Sequence, residues 1–370
     1  MNESGVIRIE GCGPVALALR LLLVREGYPA RLICAEEPEA ALPGWLAARP
    51  IALSLGSLQL LGRVVRGLAP HVLLADSASA APILKVAVTR NHTGAGLNLD
   101  RADLSEPVLG AVIRYGRLVQ LLQESVAASP PPAAGKAGRA FELNIIADGE
   151  ISPQTPRQRD FGQMALLAEV TVSRDEPGVA FEHFTSEGPL ALLPLPEAGR
   201  RALVWCAPEA SARARVDMPP TEFAAALSKA FGARLGQIAL SGARHTTALS
   251  RRIAPILRDP RSVAIGNAAQ VLHPVAGQGL NLGLRDAYTL ARELGNSFSG
   301  DGSIEKALAR FVRLRQADRE IVVATTDLLA WLTCPDLLRP VHALALTTID
   351  SLAPLRRSVA RVFMHGPRFT

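Results

Sequence analysis

Aromatic side chains are scarce in this chain: ten phenylalanines, three tryptophans and three tyrosines make up 4% of its 370 residues. Any apolar cavity must therefore be walled mainly by aliphatic groups, and base-stacking platforms for nucleic acid are not favoured. Lysine and arginine exceed aspartate and glutamate by 40 to 34, a net charge of +6. No run of basic residues is longer than two, so the excess reads as a solvated basic surface rather than a nucleic-acid footprint. The four cysteines, Cys12, Cys34, Cys206 and Cys334, are scattered with no CxxC pair. That spacing argues against a zinc site and a disulfide framework, and makes a reducing cytoplasm the expected compartment. Cys206 and Cys334 sit in apolar runs and read as core residues. Long apolar runs are missing too: Val15 to Val24 is broken by Arg20 and is too short to span a bilayer. Met1-Asn2-Glu3-Ser4 leads directly into a strand-like run rather than a leader. The expectation is a cytoplasmic protein that meets a membrane only peripherally, at its inner face.

What is present is an ordinary globular composition, 48% hydrophobic and 20% charged, at a length suited to two intertwined domains. Val6-Ile7-Arg8-Ile9 reads as a strand, a turn follows at Gly11-Cys12-Gly13-Pro14, and a helix runs to about Arg25. With a second strand from Arg31 to Ala35 this makes a βαβ unit, the opening of a dinucleotide-binding fold. Arg8 and Glu10 are unexpected in a buried central strand. Ile83 to Val88, Glu169 to Val172 and Ala202 to Cys206 predict strands of a second, sheet-rich region, with a helix over Glu222 to Phe231. Leu143 to Ala147 and Ser262 to Ile265 are further short strands. Leu280, Leu284, Ala287, Ala291 and Leu294 define one buried helical face. From Ser303 onward the pattern is helical, with breaks expected at Pro335, Pro340 and Pro354. Ser129 to Gly135 is a proline-rich loop.

Two glycine-rich turns carry the chemistry. In the first, Gly11 permits a tight turn and Gly13 lets a pyrophosphate approach the backbone. Pro14, Val15 and Ala16 then open a helix whose first N–H groups are unpaired. The acidic residue that usually ends the second strand of such a unit falls on Cys34. Glu36, two residues on and so on the same strand face, is expected to grip the ribose instead. Ala147-Asp148-Gly149 ends another strand in a sharp turn. In the second glycine-rich turn, a strand ends at Gly266-Asn267 and Gly277 and Gly279 lead into a helix at about Asn281, with His273 read as a residue that orders the turn. Two such turns in one chain suit one long ligand with two polar ends. FAD fits, with its pyrophosphate at the first and its ring system at the second.

The strings Gly266-Asn267-Ala268-Ala269-Gln270 and Leu272-His273-Pro274-Val275-Ala276-Gly277-Gln278-Gly279-Leu280-Asn281-Leu282-Gly283-Leu284-Arg285-Asp286 closely resemble the 2-polyprenyl-6-methoxyphenol hydroxylase branch of the flavin monooxygenases. Arg49-Pro50-Ile51-Ala52-Leu53-Ser54 resembles the family's R-x-x-A-L-S segment, whose arginine lies beside the cofactor. Asp160 to Ala165, Phe181 to Phe184 and Gly188 to Leu195 resemble its substrate-domain strands, and Arg313 to Asp327 continues the match more weakly. The resemblance implies an α/β fold: a Rossmann-like FAD-binding domain (1–75, 100–160 and 255–300), an interleaved, mainly antiparallel substrate domain (76–99 and 161–254) and a helical C-terminus (301–370). It implies FAD at Gly11, Gly13, Pro14, Val15, Ala16, Glu36, Arg49, Asp148, Asn267, Gly277, Gly279, Leu280 and Asn281, with Pro274, Gly277 and Gln278 nearest the chemistry. NAD(P)H would be the reductant, O2 the oxidant and a polyprenylated phenol of ubiquinone biosynthesis the substrate. A membrane surface or a quinone-biosynthesis assembly would be the partner, and nucleic acid would not. The departures from the pattern are Cys34, a short stretch between Val126 and Ala147, and no arginine just after Gly149. Two alternatives follow: a hydroxylase of a soluble aromatic compound, or a non-catalytic subunit that keeps the fold.

Overall fold

The computed structural model describes residues 7–28, 30–34, 42–90, 96–129, 143–148, 151, 155, 157–273, 277–298, 303–331 and 339–366. The chain opens with β1 (Ile7–Glu10), α1 (Pro14–Arg25) and β2 (Ala30–Ile33), the expected βαβ unit with parallel strands. Ile7 and Ile9 face the core while Arg8 is exposed, and Glu10 accepts a 2.8 Å hydrogen bond from Asn144 Nδ2. The polar side chains of β1 therefore lie on a face with access to solvent and a partner, which removes the difficulty they posed. α1 buries nine of its 12 residues. A helix apolar nearly all round must be covered on most sides, and α1 is: five of its buried residues are leucines, each contributing about 1.5–3 kcal/mol.

The chain continues through α2 (Gly44–Ala47), β3 (Pro50–Ser54), α3 (Leu55–Gly62) and α4 (Pro70–Leu73). Then come β4 (Ala80–Ile83), β5 (Lys85–Arg90), β6 (Gly96–Asp100), β7 (Gly110–Arg114), α5 (Tyr115–Ala128) and β8 (Leu143–Ile146). The run expected as one strand from Ile83 to Val88 is two. The break lies at Leu84, whose amide donates to Gly178 O at 2.7 Å. β4 pairs with β7 and β5 with β6 and a later strand, so the chain changes sheets there.

The second region holds β9 (Arg157–Val172), β10 (Val179–Phe184), β11 (Pro189–Pro194) and β12 (Arg200–Pro208), then α6 (Glu209–Asp217), α7 (Pro220–Phe231), β13 (Ile238–Leu240) and β14 (His245–Ile253). After it come β15 (Leu257–Asp259), β16 (Ser262–Ala264), β17 (Gln270–Val271), α8 (Gln278–Phe298), α9 (Ile304–Trp331), α10 (Arg339–Ser351) and α11 (Ala353–His365). Three sheets result: five strands in the order β15-β16-β8-β1-β2, nine built on β17-β14-β9-β12-β11-β10-β5-β6 with β13 beside β9, and three as β3-β7-β4. The large sheet is mainly antiparallel; β10 and β5 run parallel.

The C-terminal helices divide beside the expected prolines: α10 begins at Arg339 and α11 at Ala353, and Pro340 and Pro354 open new helices rather than interrupt one. They lie in the first turns of α10 and α11, where a missing N–H costs no internal hydrogen bond. Pro335 and the proline-rich loop beyond Ser129 lie outside the described residues.

Candidate active site

Both glycine-rich turns lie at the ends of parallel strands of the five-stranded sheet, and they touch. Gly11 has φ +129°, and a Cβ there would lie 2.6 Å from Cβ of Asp148; only glycine permits this approach. Gly13 is the N-cap of α1 with no side-chain cap, so the N–H groups of Val15 and Ala16 are left to an outside acceptor. Val15 then wedges between the second turn and α8. A Cβ on Gly283 would lie 2.8 Å from Val15 Cγ2, and one on Gly266 3.3 Å from Val15 Cγ1.

Gly266 itself, at φ +57°, donates its N–H to Asp286 Oδ2 at 3.0 Å. α8 starts at Gln278, three residues before the expected position, so Asn281 sits in its first turn. Asn281 is 2% exposed, and its side chain is spent on protein partners. Its Oδ1 accepts from Ser54 N at 2.9 Å, while its Nδ2 donates to Ala52 O at 3.1 Å and Gly277 O at 2.9 Å. The residue expected to contact cofactor ties the loop to β3, the strand of the R-x-x-A-L-S resemblance, and also lines the cavity.

A second brace comes from Asp160-Phe161-Gly162. Leu249 pairs with Gln163 and Ser250 with Asp160, so two residues of β9 bulge out of register. Gly162 takes φ +61°, and its N–H is held by Asp160 Oδ1 at 2.9 Å. The bulge turns Phe161 edge-on to the buried His273, ring centroids 4.9 Å apart. This agrees with an ordering role for His273.

These elements enclose a cavity of about 1380 Å³, larger than the usual 300–1,000 Å³ ligand pocket. At one end lie Gly13, Pro14, Val15, Arg49, Asp148 and Asn267, with Gly277, Gln278, Gly279, Leu280 and Asn281 alongside. Gly279 and Gly13 have open space where a side chain would go. Of the other expected site residues, Gly11 and Ala16 support the turn from behind; Glu36 and Pro274 lie outside the described residues. Sequence reasoning missed Tyr115, which lines the cavity near Arg49 and Asp148. Burial, and then the charge of Asp148, push its phenol above the ordinary value. It also missed a buried ion network under the second turn. Asp286 accepts from Gln270 Nε2 at 2.6 Å and Arg315 Nε at 2.6 Å, and Asp318 from Arg285 Nε at 3.1 Å; Arg315 also contacts Asp318. Arg315, Asp318 and Arg319 at three- and four-residue spacing on α9 were the available signal.

One finding reverses an expectation outright. Cys12 and Cys34 are joined as a disulfide, Cα atoms 5.5 Å apart across 22 residues of chain. The turn after β1 and the end of β2 are neighbours because the strands are parallel and adjacent, which brings two distant cysteines together. A loop of this length corresponds to about 3 kcal/mol of chain entropy. Cys34→Ser should therefore lower the unfolding free energy of oxidised protein by roughly that amount and leave protein unfolded in dithiothreitol unchanged. Equal urea midpoints for variant and wild type under oxidising conditions would show that the bond contributes nothing. Cys206 is buried, as expected of a core residue; Cys334 lies outside the described residues.

The model of the FAD binding domain family matches residues 149–324. The chain is 29% identical over 386 aligned positions to ubiquinone hydroxylase UbiL of Rhodospirillum rubrum, covering 96% of this chain and 88% of that protein. It is 28% identical to the 3-demethoxyubiquinol 3-hydroxylase of Escherichia coli, at 88% and 89% coverage. Among solved structures, p-nitrophenol 4-monooxygenase PnpA of Pseudomonas putida DLL-E4 superposes with a TM-score of 0.71 at 17% identity, over 99% of both chains. Klebsiella pneumoniae HpxO complexed with FAD and uric acid gives 0.68 at 14% identity, over 98% and 97%. The structural likenesses establish the fold, and the domain match and the relatives at 28–29% identity make the chain similar to FAD-dependent hydroxylases of ubiquinone biosynthesis.

Proposed function

We propose that the cavity takes FAD along its glycine-rich side and a polyprenylated phenol of ubiquinone biosynthesis along its aliphatic side, and that the chain hydroxylates the phenol ring with NAD(P)H and O2. The residues present fit the cofactor: an uncapped helix start at Val15 and Ala16, side-chain-free space at Gly13 and Gly279, and Arg49 and Asp148 on the same wall. When bound, FAD supplies the electron transfer and oxygen activation. The chain's own part is to hold the diphosphate at the Gly11–Ala16 turn and to present backbone donors from Gly277 to Leu280 where charge develops. The enclosing sheet excludes water.

The observation that carries the substrate reading is the far end of the cavity. Val86, Val88, Leu97 and Leu99 of β5 and β6 face Leu346 and Ile349 of α10, a space fit for an aliphatic tail and short of polar groups for a small soluble ring. One further point supports contact with a membrane surface, which we place at the inner face. Near this end of the cavity, Leu344, Leu352 and Leu355 are 69%, 52% and 41% exposed, and Arg357 and Arg361 are exposed on α11. Each buried CH2 contributes about 0.8 kcal/mol, so two buried tail carbons correspond to roughly tenfold. A prenylated phenol should therefore exceed the same phenol without its tail by at least about tenfold in kcat/KM. Equal values under matched conditions would assign the enzyme to soluble aromatic compounds.

A further inference from the structure

The large sheet turns one face to the cavity, and its residues fall in transverse rows. In one of these, Val88, Glu182, Ala191, Val204 and Leu167 stand side by side on β5, β10, β11, β12 and β9, and all line the cavity. Glu182 is the single charged group in that apolar series. It is enclosed by protein yet retains partial exposure through the cavity it faces. Its neighbour His183 points to the other side of the sheet, where Nδ1 pairs with Thr89 Oγ1 at 2.7 Å.

No donor or cation among the described residues meets the Glu182 carboxyl group. Other enclosed acids of this chain are held by arginine: Glu169 by Arg114 and Arg200, Asp286 by Arg315, Glu293 by Arg292 and Arg310. A carboxyl group buried without a partner is a cost to the fold. No group among the described residues offsets it, and the side of Glu182 left open faces the cavity.

Resting on the reading of the substrate as a phenol, we propose that Glu182 is a catalytic residue, which hydrogen-bonds the phenolic hydroxyl and takes its proton as the ring is hydroxylated. The O–H bond breaks towards Glu182, and its electron pair enters the ring. A C–O bond forms at an ortho or para carbon with the hydroxyl group that the FAD and O2 chemistry would supply as an electrophile, as the O–O bond of reduced O2 breaks. That carbon then releases its hydrogen as a proton to the oxygen left behind, giving water overall, the ring electrons return to the phenolic oxygen, and Glu182 gives the proton back. The residue ends as it began, and one ring C–H has become C–OH. Burial raises the Glu182 pKa to about 7, the range in which a carboxylate is an effective base at neutral pH. Four other titratable or charged groups stand on or beside this wall. Cys206 of β12 is a thiol kept neutral by burial and then by Glu182 itself. Arg90 lies at the end of β5, in register with Phe184. Glu169 and Arg200, also on the cavity wall, are paired with each other at 2.7 Å. β11 adds no titratable group to the cavity wall, and α10 and α11 add only apolar residues.

The test uses the full chain loaded with FAD, and a phenol carrying one short prenyl chain as probe. Wild type should show coupled hydroxylation that falls away below a pH of about 7. Glu182→Gln keeps the size and removes the base. It should lose at least about a hundredfold in product formed at pH 8 and lose that limb, while Glu182→Asp retains the limb at a reduced rate. Independently of turnover, difference infrared spectra of oxidised enzyme at pH 6 should show a protonated carboxyl band that shifts when the phenol binds, and that is missing in Glu182→Gln. Unchanged rate and limb in Glu182→Gln, or no such band in wild type, overturns the assignment and leaves the substrate reading standing. A wild type that binds flavin but neither binds nor hydroxylates the phenol overturns both.

Discussion

Gly13→Asp should give a protein that folds at least as well as wild type and holds FAD hundreds of times more weakly. The two effects have opposite signs because they share one cause. Gly13 sits at the N-cap of α1 in an extended conformation, φ −77° and ψ 173°, which any residue can adopt. A Cβ there meets nothing within 4 Å. The new carboxylate can accept from the N–H groups of Val15 and Ala16, the unpaired donors of the first turn. Capping them, with the favourable helix dipole, should raise apoprotein stability by a few tenths to about 1 kcal/mol. The same carboxylate then occupies the place of a cofactor phosphate, and like charges forced together cost several kcal/mol. At 1.4 kcal/mol per decade, 3 kcal/mol is already more than a hundredfold in Kd. Titration of apoprotein with FAD measures one effect and urea unfolding of apoprotein the other. If affinity stays within tenfold of wild type, the diphosphate is not at this turn.

That turn was legible in the sequence because Gly11 meets a backbone demand that only glycine meets, and the turn from Gly266 to Asn281 because Gly266 and Gly277 do. Strand–turn–helix order did the rest. What could not be read was everything that depends on which distant segment comes alongside. The alternation from Ile83 to Val88 looks like one strand, since periodicity is silent about a change of partner at Leu84. Cys12 and Cys34 become a pair only once β1 and β2 are known to be adjacent and parallel. Asn281, in the most recognisable string of the chain, looked like a ligand contact. Its role as a brace to Ala52 and Ser54 needs the position of β3. Glu182 was quoted as part of Phe181-Glu182-His183-Phe184, and alternation does put it opposite His183. Only the sheet order shows that its face looks onto a cavity and that the row beside it is aliphatic.

The ion network under the second turn supports the other large effect. Asp286→Ala should destabilise the apoprotein by about 3–5 kcal/mol, the usual result of removing one partner of a buried pair. Asp286, Arg315 and Asp318 are 4%, 4% and 3% exposed, so water cannot take over the lost contacts. The substitution strands Gln270 Nε2, the Gly266 N–H and Arg315 Nε together. It leaves Asp318 alone to balance Arg315 and Arg285, whose charge burial already opposes. The damage should also reach the cofactor, because Asp286 Oδ2 fixes the Gly266 amide at the point where Val15 of the first turn packs. Both glycine-rich turns would then loosen from one change that touches no ligand. A double-mutant cycle separates the network from the fold at large. Arg315→Met removes the cation that Asp286 balances, so the double variant should lose clearly less than the sum of the two single losses. Urea unfolding of the four apoproteins gives the coupling, and FAD retention on a desalting column gives the effect on the site. Strict additivity, or a loss below about 1 kcal/mol for Asp286→Ala, would mean that the arginines find other partners and that the second turn is held by packing alone.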